Sequence, residues 1–334
     1  MPIIQVEGLT KEYHRPVRHS GAFGALRTLF TRQRITSQAL QGVDFEINSG
    51  ELVGYLGPNG AGKSTTIKIL TGILQPTRGV VEVAGKLPWR DREENALNIG
   101  VVFGQRTQLW WDLPLRDSLD LIAKLYGVSR ARYKKNMETF AELLDLQPFL
   151  DTPVRQLSLG QRMRGDLAAA MLPQPRILFL DEPTIGLDVV ARERMREFIA
   201  NLNREEGTTV ILTTHDLADV ERLCPRIILI DGGRVLYDGS VSSLKARYAP
   251  HRQLVVQLAE GHSWVDLEIP GVAFTTGDRT GQICLHFLPD QIQAPDLIGA
   301  VLRQNAVTDM SITEPELEGV VRRLYSSTSA PTTR

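Results

Sequence analysis

A glycine-rich segment between a predicted strand and a predicted helix carries the strongest chemical signal in the 334-residue chain. The segment follows the apolar run Leu52–Leu56, precedes a helical pattern at Thr66–Leu70, and matches the pattern GxxxxGK[ST]. Small residues let backbone N–H groups surround phosphate oxygens, and the N-terminus of the following helix attracts anions. A glycine-rich turn before a helix is the structural alternative. We expect phosphate to contact Gly57, Pro58, Asn59, Gly60, Ala61, Gly62, Lys63, Ser64 and Thr65.

Two carboxylates follow a second apolar run, Ile177-Leu-Phe-Leu-Asp181-Glu182-Pro183. Open α/β sheets bind ligands at the carboxyl ends of their strands, where these two side chains would lie. Lys63 of the glycine-rich loop would reach the β- and γ-phosphates, and Ser64 would ligate Mg²⁺. Asp181 is expected to hold the same Mg²⁺ directly or through water, and Glu182 to polarise an attacking water. Alone, the run fits a strand and an exposed turn, but together the two motifs predict nucleotide hydrolysis.

The elements that must position these residues are predicted by short apolar runs that alternate with helical periodicity through residues 1–240. Such alternation is typical of an α/β fold around a largely parallel sheet. Hydrophobic residues make up 42% of the chain, as in an ordinary globular protein, and a formal net charge of −1 disfavours a uniformly basic nucleic-acid binder. The predicted buried strands are Leu52–Leu56, Ile99–Phe103, Ile177–Asp181, Thr209–Thr213 and Ile227–Ile230.

Residues 250–326 have a different pattern, which predicts a small appended α+β domain. Apolar and polar residues alternate at Val265, Leu267 and Ile269 and again at Ile283, Leu285 and Phe287, as in half-exposed antiparallel strands. Helices are predicted at 296–304 and 314–325, the second beginning with a capping box of Thr313 and Glu316. Residues 327–334, rich in Ser and Thr, are predicted to be a disordered tail.

Residues 1–240 resemble the nucleotide-binding domain of an ABC transporter, a P-loop NTPase with a helical subdomain, here at about 106–172. Leu157-Ser158-Leu159-Gly160-Gln161 is similar to the LSGGQ signature of that family, with Leu159 in place of the first glycine. The remaining positions that match family motifs are Gln105 for the Q-loop glutamine, Asp188 for the D-loop aspartate, His215 for the switch histidine and Tyr13 for the aromatic residue that stacks on adenine.

Each of these single residues also has a structural interpretation. A glutamine or histidine after a strand is usually a surface or structural residue, and Tyr13 could pack under the sheet. Asp188 could cap the helix that starts near Ala191, or do this as well as act in the D-loop.

The resemblance implies that the chain binds ATP and Mg²⁺ and hydrolyses ATP. The catalytic residues would be Glu182, His215, Lys63 and Gln105, and the Mg²⁺ ligands Ser64, Gln105 and Asp181. Two chains, identical or similar, would face head to tail, with each ATP between the phosphate loop of one and Ser158, Gly160 and Gln161 of the other. Polytopic permease subunits encoded separately, one kind or two different ones, would complete a drug-resistance or Nat-type exporter. The chain would then lie in the cytoplasm against the inner face of the membrane.

Two segments suggest partners. Residues 14–38 hold five arginines and no acid, and their apolar residues fit one face of a short helix, as in segments that contact a membrane or a permease. A solvated loop fits this insertion equally well. Adjacent Trp110 and Trp111 cannot both face one core, so one is expected to be exposed at an interface; a buried pair at a helix start is the alternative.

Two other functions remain open. An importer ATPase subunit is less well supported, because the substrate-side partners of an importer are not visible in this sequence. A non-transport ABC ATPase acting on ribosomes or DNA is less consistent with the sequence, because the chain has one cassette and no long coiled coil. No nucleic-acid partner is expected.

Overall fold

The computed structural model describes residues 2–16, 34–104, 106–249, 251–267, 269–277 and 279–329. The chain divides into two compact units, residues 1–239 and 240–334. The second unit thus begins about ten residues before the change of sequence pattern near residue 250. Within the described residues, no helix is long and apolar enough to cross a bilayer.

The first unit alternates strands with helices along the chain. Its elements are β1 (Pro2–Pro16), β2 (Arg34–Asn48), β3 (Leu52–Leu56), α1 (Lys63–Leu70), β4 (Arg78–Val83), α2 (Arg92–Asn98), β5 (Ile99–Phe103), α3 (Leu115–Leu125), α4 (Arg130–Leu143), α5 (Leu159–Met171), β6 (Ile177–Asp181), α6 (Val189–Glu206), β7 (Thr209–Thr213), α7 (Leu217–Leu223), β8 (Arg226–Asp231) and β9 (Arg234–Ser240).

A six-stranded sheet in the order β5-β6-β7-β3-β8-β9 forms the centre of this unit, and its first five strands pair in parallel. All five residues of β3 and of β7 are buried, because other elements of the unit cover both faces of the parallel sheet. Four of the five strands predicted here have the predicted bounds, and β8 is longer by one residue at each end. The predicted α/β fold is confirmed.

A second, antiparallel sheet in the order β2-β1-β4 packs on the parallel sheet. The core between them contains Ile4, Val43 and Val81 from the antiparallel sheet and Tyr55 and Phe179 from the parallel one, all nearly inaccessible. This core holds β3 in position, and the glycine-rich loop begins at the carboxyl end of that strand.

Part of the predicted insertion at 14–38 is regular structure. β1 continues to Pro16 and β2 begins at Arg34, and the ladder pairs Tyr13 with Ser37, His14 with Thr36 and Pro16 with Arg34. Both ends of the predicted insertion therefore belong to strands, because antiparallel pairing extends the ladder past the last apolar residue. The short helix predicted from the apolar residues of the insertion falls within residues 17–33, which lie outside the described residues.

The second unit contains a four-stranded antiparallel sheet in the order β11-β12-β10-β13. Its elements are α8 (Val241–Tyr248), β10 (Arg252–Leu258), β11 (Ala273–Thr276), β12 (Gln282–Phe287), α9 (Ala294–Gln304), β13 (Val307–Thr313) and α10 (Leu317–Ser329). Leu254, Val256 and Leu285 form the core of this sheet together with Leu297 and Val301 of α9. An appended α+β fold is thus confirmed, and the strand predicted at Ile283–Phe287 is present.

Two details of the predicted second unit are wrong. Val265 and Leu267 lie in irregular chain, because the side chain of Asn305 bonds to both backbone groups of Val265 in place of a neighbouring strand. Thr313 is the last residue of β13, and its hydroxyl donates to the carbonyl of Gln253, so it does not form the predicted capping box. The tail at 327–329 continues α10, and residues 330–334 lie outside the described part.

Candidate functional site

The glycine-rich loop joins the buried strand β3 to α1 and presents the N-terminus of that helix. Gly62, the residue before α1, has a φ of 110°. A Cβ at this position would also lie only 2.7 Å from the carbonyl oxygen of Ala39, so glycine is required on both counts. Ala61 is buried, whereas Ser64 is exposed. The loop is therefore held against the protein at one side and open at the other, with free N–H groups at the start of α1.

Lys63 is the buried cation of this loop. Its ammonium group donates to the carbonyl oxygens of Gly57 and Pro58, at 2.6 and 3.2 Å. Burial lowers the pKa of Lys63, and the nearby carboxylates of Glu182 and Asp181 oppose this effect by favouring the charged form. The ammonium is thus fixed by backbone contacts where an anionic ligand at the loop would meet it.

Asp181 ends β6 and is oriented by the neighbouring strand. The Thr213 hydroxyl at the end of β7 donates to Asp181 Oδ1 over 2.5 Å. Because β6 and β7 are parallel and pair Asp181 with Thr213, their carboxyl ends bring the two side chains together. One carboxylate oxygen is committed to this bond, and the other is available to a cation or to water.

Glu182 takes a strained backbone conformation, with a φ of 58° that is uncommon for any residue other than glycine. Such a conformation costs on the order of 1–3 kcal/mol and persists only where the surroundings impose it. Here the Glu182 N–H donates to the carbonyl oxygen of Thr213 at 2.9 Å. The backbone thus turns the Glu182 side chain away from the path of the strand.

A short hydrogen bond joins Glu182 to His215. Glu182 Oε2 and His215 Nδ1 are 2.6 Å apart, with the histidine side chain 65% exposed and the glutamate 23% exposed. Because an ionised carboxylate only accepts hydrogen bonds, Nδ1 carries the hydrogen in this arrangement. Two residues predicted from separate motifs therefore form one bonded pair.

Ser158 and Gln161 form a second feature, the N-terminus of α5. The backbone N–H of Gln161 donates to the Ser158 hydroxyl at 3.2 Å, and the backbone N–H of Ser158 donates to the Gln161 side chain at 2.9 Å. This reciprocal capping box fixes the first turn of α5. Ser158 is exposed and Gly160 is half-buried, so the helix start is accessible.

Asp188 is the N-cap of α6, and its side chain accepts from the backbone N–H of Ala191 at 2.8 Å. The capping interpretation is correct, although the helix begins at Val189. Val189 and Val190, which follow the cap, are 83% and 64% exposed. The D-loop role of Asp188 stays a prediction.

Most of the predicted site residues line one cleft of about 620 Å³. It is lined by Pro58, Asn59, Gly60, Gly62, Lys63, Ser64 and Thr65 of the loop together with Asp181, Glu182 and His215. Ser158, Gly160, Gln161 and Asp188 do not line this cleft. Tyr13 does not line it either; it lies on β1 with the Lys11 ammonium 5.4 Å from its ring centroid. Gln105 lies outside the described residues.

Sequence reasoning missed several residues of the cleft. Lys68 and Arg106 add cationic side chains to the lining, and Ile73 and Ile185 add apolar ones. Arg106 directly follows the predicted Gln105, a position that could have identified it. Thr213 could have been found from the predicted parallel strands, because its strand and that of Asp181 end side by side. Trp110 and Trp111 are both exposed, at 43% and 50%, where only one was expected.

Comparison with known proteins agrees with this geometry. The ABC transporter family matches residues 40–185. The daunorubicin resistance ATP-binding protein DrrA3 of Streptomyces coeruleorubidus is 33% identical over 289 residues, which cover 86% of this chain and 91% of that protein. The ABC transporter ATP-binding protein NatA of Bacillus subtilis is 34% identical over 64% of this chain and 87% of its own length.

A solved structure also resembles this chain. It is the dimeric post-hydrolysis state of the ATP-binding cassette MJ0796 bound to ADP and Pi, with a TM-score of 0.59 and 28% identity over 71% of this chain and 98% of that one. The phosphate loop, the two carboxylates and the histidine lie together in one cleft, as binding and hydrolysis of a nucleotide require. The chain therefore belongs to the family of ABC transporter ATP-binding proteins and is an ATP-binding, ATP-hydrolysing enzyme.

Proposed function

We propose that this chain works as one of a pair of ATPase subunits that power export through separate membrane permeases, at the cytoplasmic face of the membrane. The observation that carries the proposal is the single cleft in which Lys63, Asp181, Glu182 and His215 meet. The name of the relative DrrA3, a daunorubicin resistance protein, favours export as the process that ATP hydrolysis powers.

The residues present fit a magnesium ion bound with the nucleotide. Mg²⁺ prefers oxygen ligands and usually keeps only one or two protein ligands beside substrate phosphates. The Ser64 hydroxyl and the second oxygen of Asp181 are such ligands in the same cleft, and Gln105 is the third residue we assign to the ion. The ion would neutralise charge on the β- and γ-phosphates.

Glu182 is the residue we assign as general base. A general base must lie within hydrogen-bond reach of the water it polarises, and its orientation is fixed here by the strained backbone and by His215. His215 holds the Glu182 carboxylate through Nδ1. When both of its ring nitrogens carry hydrogen, it can also donate from Nε2 to the γ-phosphate. Lys63 stabilises negative charge on the same group.

The second half of each site belongs to another copy in this proposal. Ser158 and Gly160 offer a capped, accessible helix N-terminus, which suits an anion. They do not line the cleft of their own chain, so their contact with ATP requires a second chain that faces the first. Two identical chains would form two such composite sites.

Replacing Glu182 with Gln tests the proposal. The amide keeps the shape of the side chain but is a poor base, so hydrolysis should fall by a factor on the order of 10²–10⁴ while ATP binding is retained. Without hydrolysis, the ATP-bound pair should accumulate and elute as a dimer in size-exclusion chromatography with Mg²⁺ and ATP. Hydrolysis near the wild-type rate would overturn the assignment of Glu182.

Export itself is tested with the polytopic membrane protein that co-purifies with the chain. Inverted vesicles containing the complex should accumulate substrate on addition of ATP and Mg²⁺, and should lose this accumulation with the Glu182→Gln subunit. Uptake that needs a periplasmic binding protein would support an importer instead, and ATPase stimulation by ribosomes or DNA would support a non-transport enzyme.

A further inference from the structure

A buried carboxylate outside the cleft joins two segments of the first unit. Asp166, in α5, is 3% exposed. Its Oδ1 accepts hydrogen bonds from the Thr107 hydroxyl at 2.9 Å and from the backbone N–H of Gln108 at 3.0 Å. The side-chain amide of Gln108 donates to the backbone carbonyl oxygen of Asp166, also at 3.0 Å. Two consecutive residues of the segment after Gln105 thus converge on one residue of the helix.

Helix α5 also packs closely against the segment after Gln105 and against the start of α3. A Cβ at Gly165 would lie 2.8 Å from Leu115 and 3.1 Å from Leu109, so the glycine permits the near approach of α5. The Arg162 guanidinium lies 5.5 Å from the ring centroid of the exposed Trp111, within cation–π range. The contact between the helix and the segment therefore extends over more than one turn.

Hydrogen bonds on the other side of Ser158 hold the segment as well. The backbone N–H of Arg155 donates to the carbonyl oxygen of Trp111, and that of Val154 to the carbonyl oxygen of Leu113, each at 3.0 Å. The Arg155 guanidinium also pairs with Asp112 at 2.8 Å. Residues 107–113, which we name the tryptophan segment, are thus bound to the chain both before and after Ser158.

Detaching the tryptophan segment from α5 would be unfavourable, because a buried carboxylate is costly without its hydrogen-bond donors. Thr107 and Gln108 donate to the Asp166 carboxylate. The Leu109 amide and the Arg162 guanidinium also favour its charged form. Departure of the tryptophan segment from α5 would remove these donors together. Movement of the segment and the helix as one body avoids that loss.

We propose that Asp166 is a positioning residue that fastens the tryptophan segment to α5 and thereby holds Ser158, at the start of that helix, in its place. This inference rests on the proposed function, in which Ser158 completes the ATP site of the second chain. Asp166 touches neither nucleotide nor reacting atoms, so its effect on hydrolysis passes through the position of the helix.

Hydrogen–deuterium exchange of the full chain tests the attachment. Asp166→Ala removes the acceptor, Thr107→Val removes one donor, and Asp166→Asn keeps the Oδ1 acceptor. The matched control is Asn203→Ala, which removes another polar clamp, from Asn203 to the carbonyl oxygens of Gly50 and Thr208, at 2.8 and 2.9 Å.

Exchange should become about tenfold faster at both 106–113 and 157–162 in Asp166→Ala and less so in Thr107→Val, because each lost hydrogen bond exposes amides to opening. Asp166→Asn and Asn203→Ala should leave 157–162 within about twofold of wild type. Faster exchange at 106–113 alone would overturn the proposal, as would an equal effect of Asn203→Ala on 157–162.

A kinetic split provides the second readout. In Asp166→Ala, affinity for ATP should stay within about twofold of wild type, because the phosphate loop is intact, while kcat should fall about tenfold and recover in Asp166→Asn. Equal loss of affinity and kcat would overturn a positioning role. A wild-type chain without ATPase activity would instead overturn the proposed function, and the exchange result would still decide whether Asp166 couples the two segments.

Discussion

The contribution of Asp166 to stability depends on its burial, on its hydrogen bonds and on pH. Burial raises the pKa of its carboxyl group to about 6, although hydrogen bonds from Gln108 and Thr107 act in the opposite direction. A shift of about two units corresponds to about 3 kcal/mol against the ionised form in the folded chain. Since the folded pKa lies above the unfolded one, this cost is full near pH 7.5, is about half at pH 5, and is nearly absent below the unfolded pKa.

We therefore predict that Asp166→Asn stabilises the chain at pH 7.5. Asn is neutral and can keep the bonds to Oδ1, so the free energy of unfolding should rise by up to about 3 kcal/mol at pH 7.5 and by about half of that at pH 5. Urea titration at the two pH values measures this. Asp151→Asn is the control: this exposed carboxyl has its pKa lowered by Arg116, so the substitution should give no gain at pH 7.5. An equal gain from both variants would contradict the argument.

The residues of the cleft were predictable to different degrees. The phosphate loop and Asp181 could be placed because a motif and an apolar run define both the residue and its neighbouring element. The bond between Glu182 and His215 could not, since it depends on a positive φ at a glutamate, which no periodic pattern signals. Asp166 was also missed, because a lone aspartate in a helical pattern is most simply read as a surface residue.

Helices α6 and α7 and the turn after β6 meet at one buried carboxylate, Asp219. It is inaccessible to solvent, accepts from the Thr184 hydroxyl at 2.6 Å and from Arg196 Nε at 2.7 Å, and lies four residues after His215. Arg192 of α6 also pairs with Asp216 at 2.6 Å. These bonds tie the turn that carries His215 to the turn that carries Glu182.

We predict that Asp219→Ala destabilises the chain by about 3–5 kcal/mol, because it leaves the Arg196 guanidinium, 11% exposed, without its buried partner. Thr184→Val removes only a neutral donor and should cost about 1 kcal/mol. Chemical unfolding measures both effects. Asp120→Ala, which removes an exposed partner of Lys124, should change stability by less than about 0.5 kcal/mol. A loss for Asp219→Ala no larger than this would contradict a structural tie.

Elements were predictable where burial was complete. Strands β3, β5, β6 and β7 have the predicted bounds, because a largely buried strand appears as a continuous apolar run between polar residues. β11 and β13 were missed because they lie at the edges of their sheet and are mostly exposed, which leaves no alternation to detect. Val265 and Leu267 alternate without forming a strand, since burial of Leu267 and the side chain of Asn305 replace the ladder.

At the scale of the whole molecule, the proposed division of each ATP site between two chains predicts complementation between inactive variants. Lys63→Ala should disable the phosphate loop, and Ser158→Arg should block the exposed helix start. Neither variant should hydrolyse ATP alone. In an equal mixture, half of the pairs contain one of each, and each mixed pair has one site with both defects and one site with neither. The ATPase rate should therefore recover to about a quarter of wild type.

The measurement is the ATPase rate against mixing ratio, with its maximum at equal amounts. Circular dichroism of each variant provides the control for folding, since loss of the Ser158 cap alone costs about 1 kcal/mol. A mixture with no more activity than its components would contradict an arrangement in which Ser158 serves the partner.

The cysteines of the described chain allow labelling at a chosen position. Cys224 and Cys284 are both buried, at 2% and 8% exposure, and burial raises the pKa of the Cys224 thiol far above the physiological range. Maleimide reagents attack exposed thiolates, so the folded chain should give little background reaction. A single cysteine placed at Val189, which is 83% exposed beside the Asp188 cap, would then carry a spin label or a fluorophore. In the proposed pair, each chain would carry one such label. The distance between the two labels would then report how closely the chains approach during ATP binding and hydrolysis.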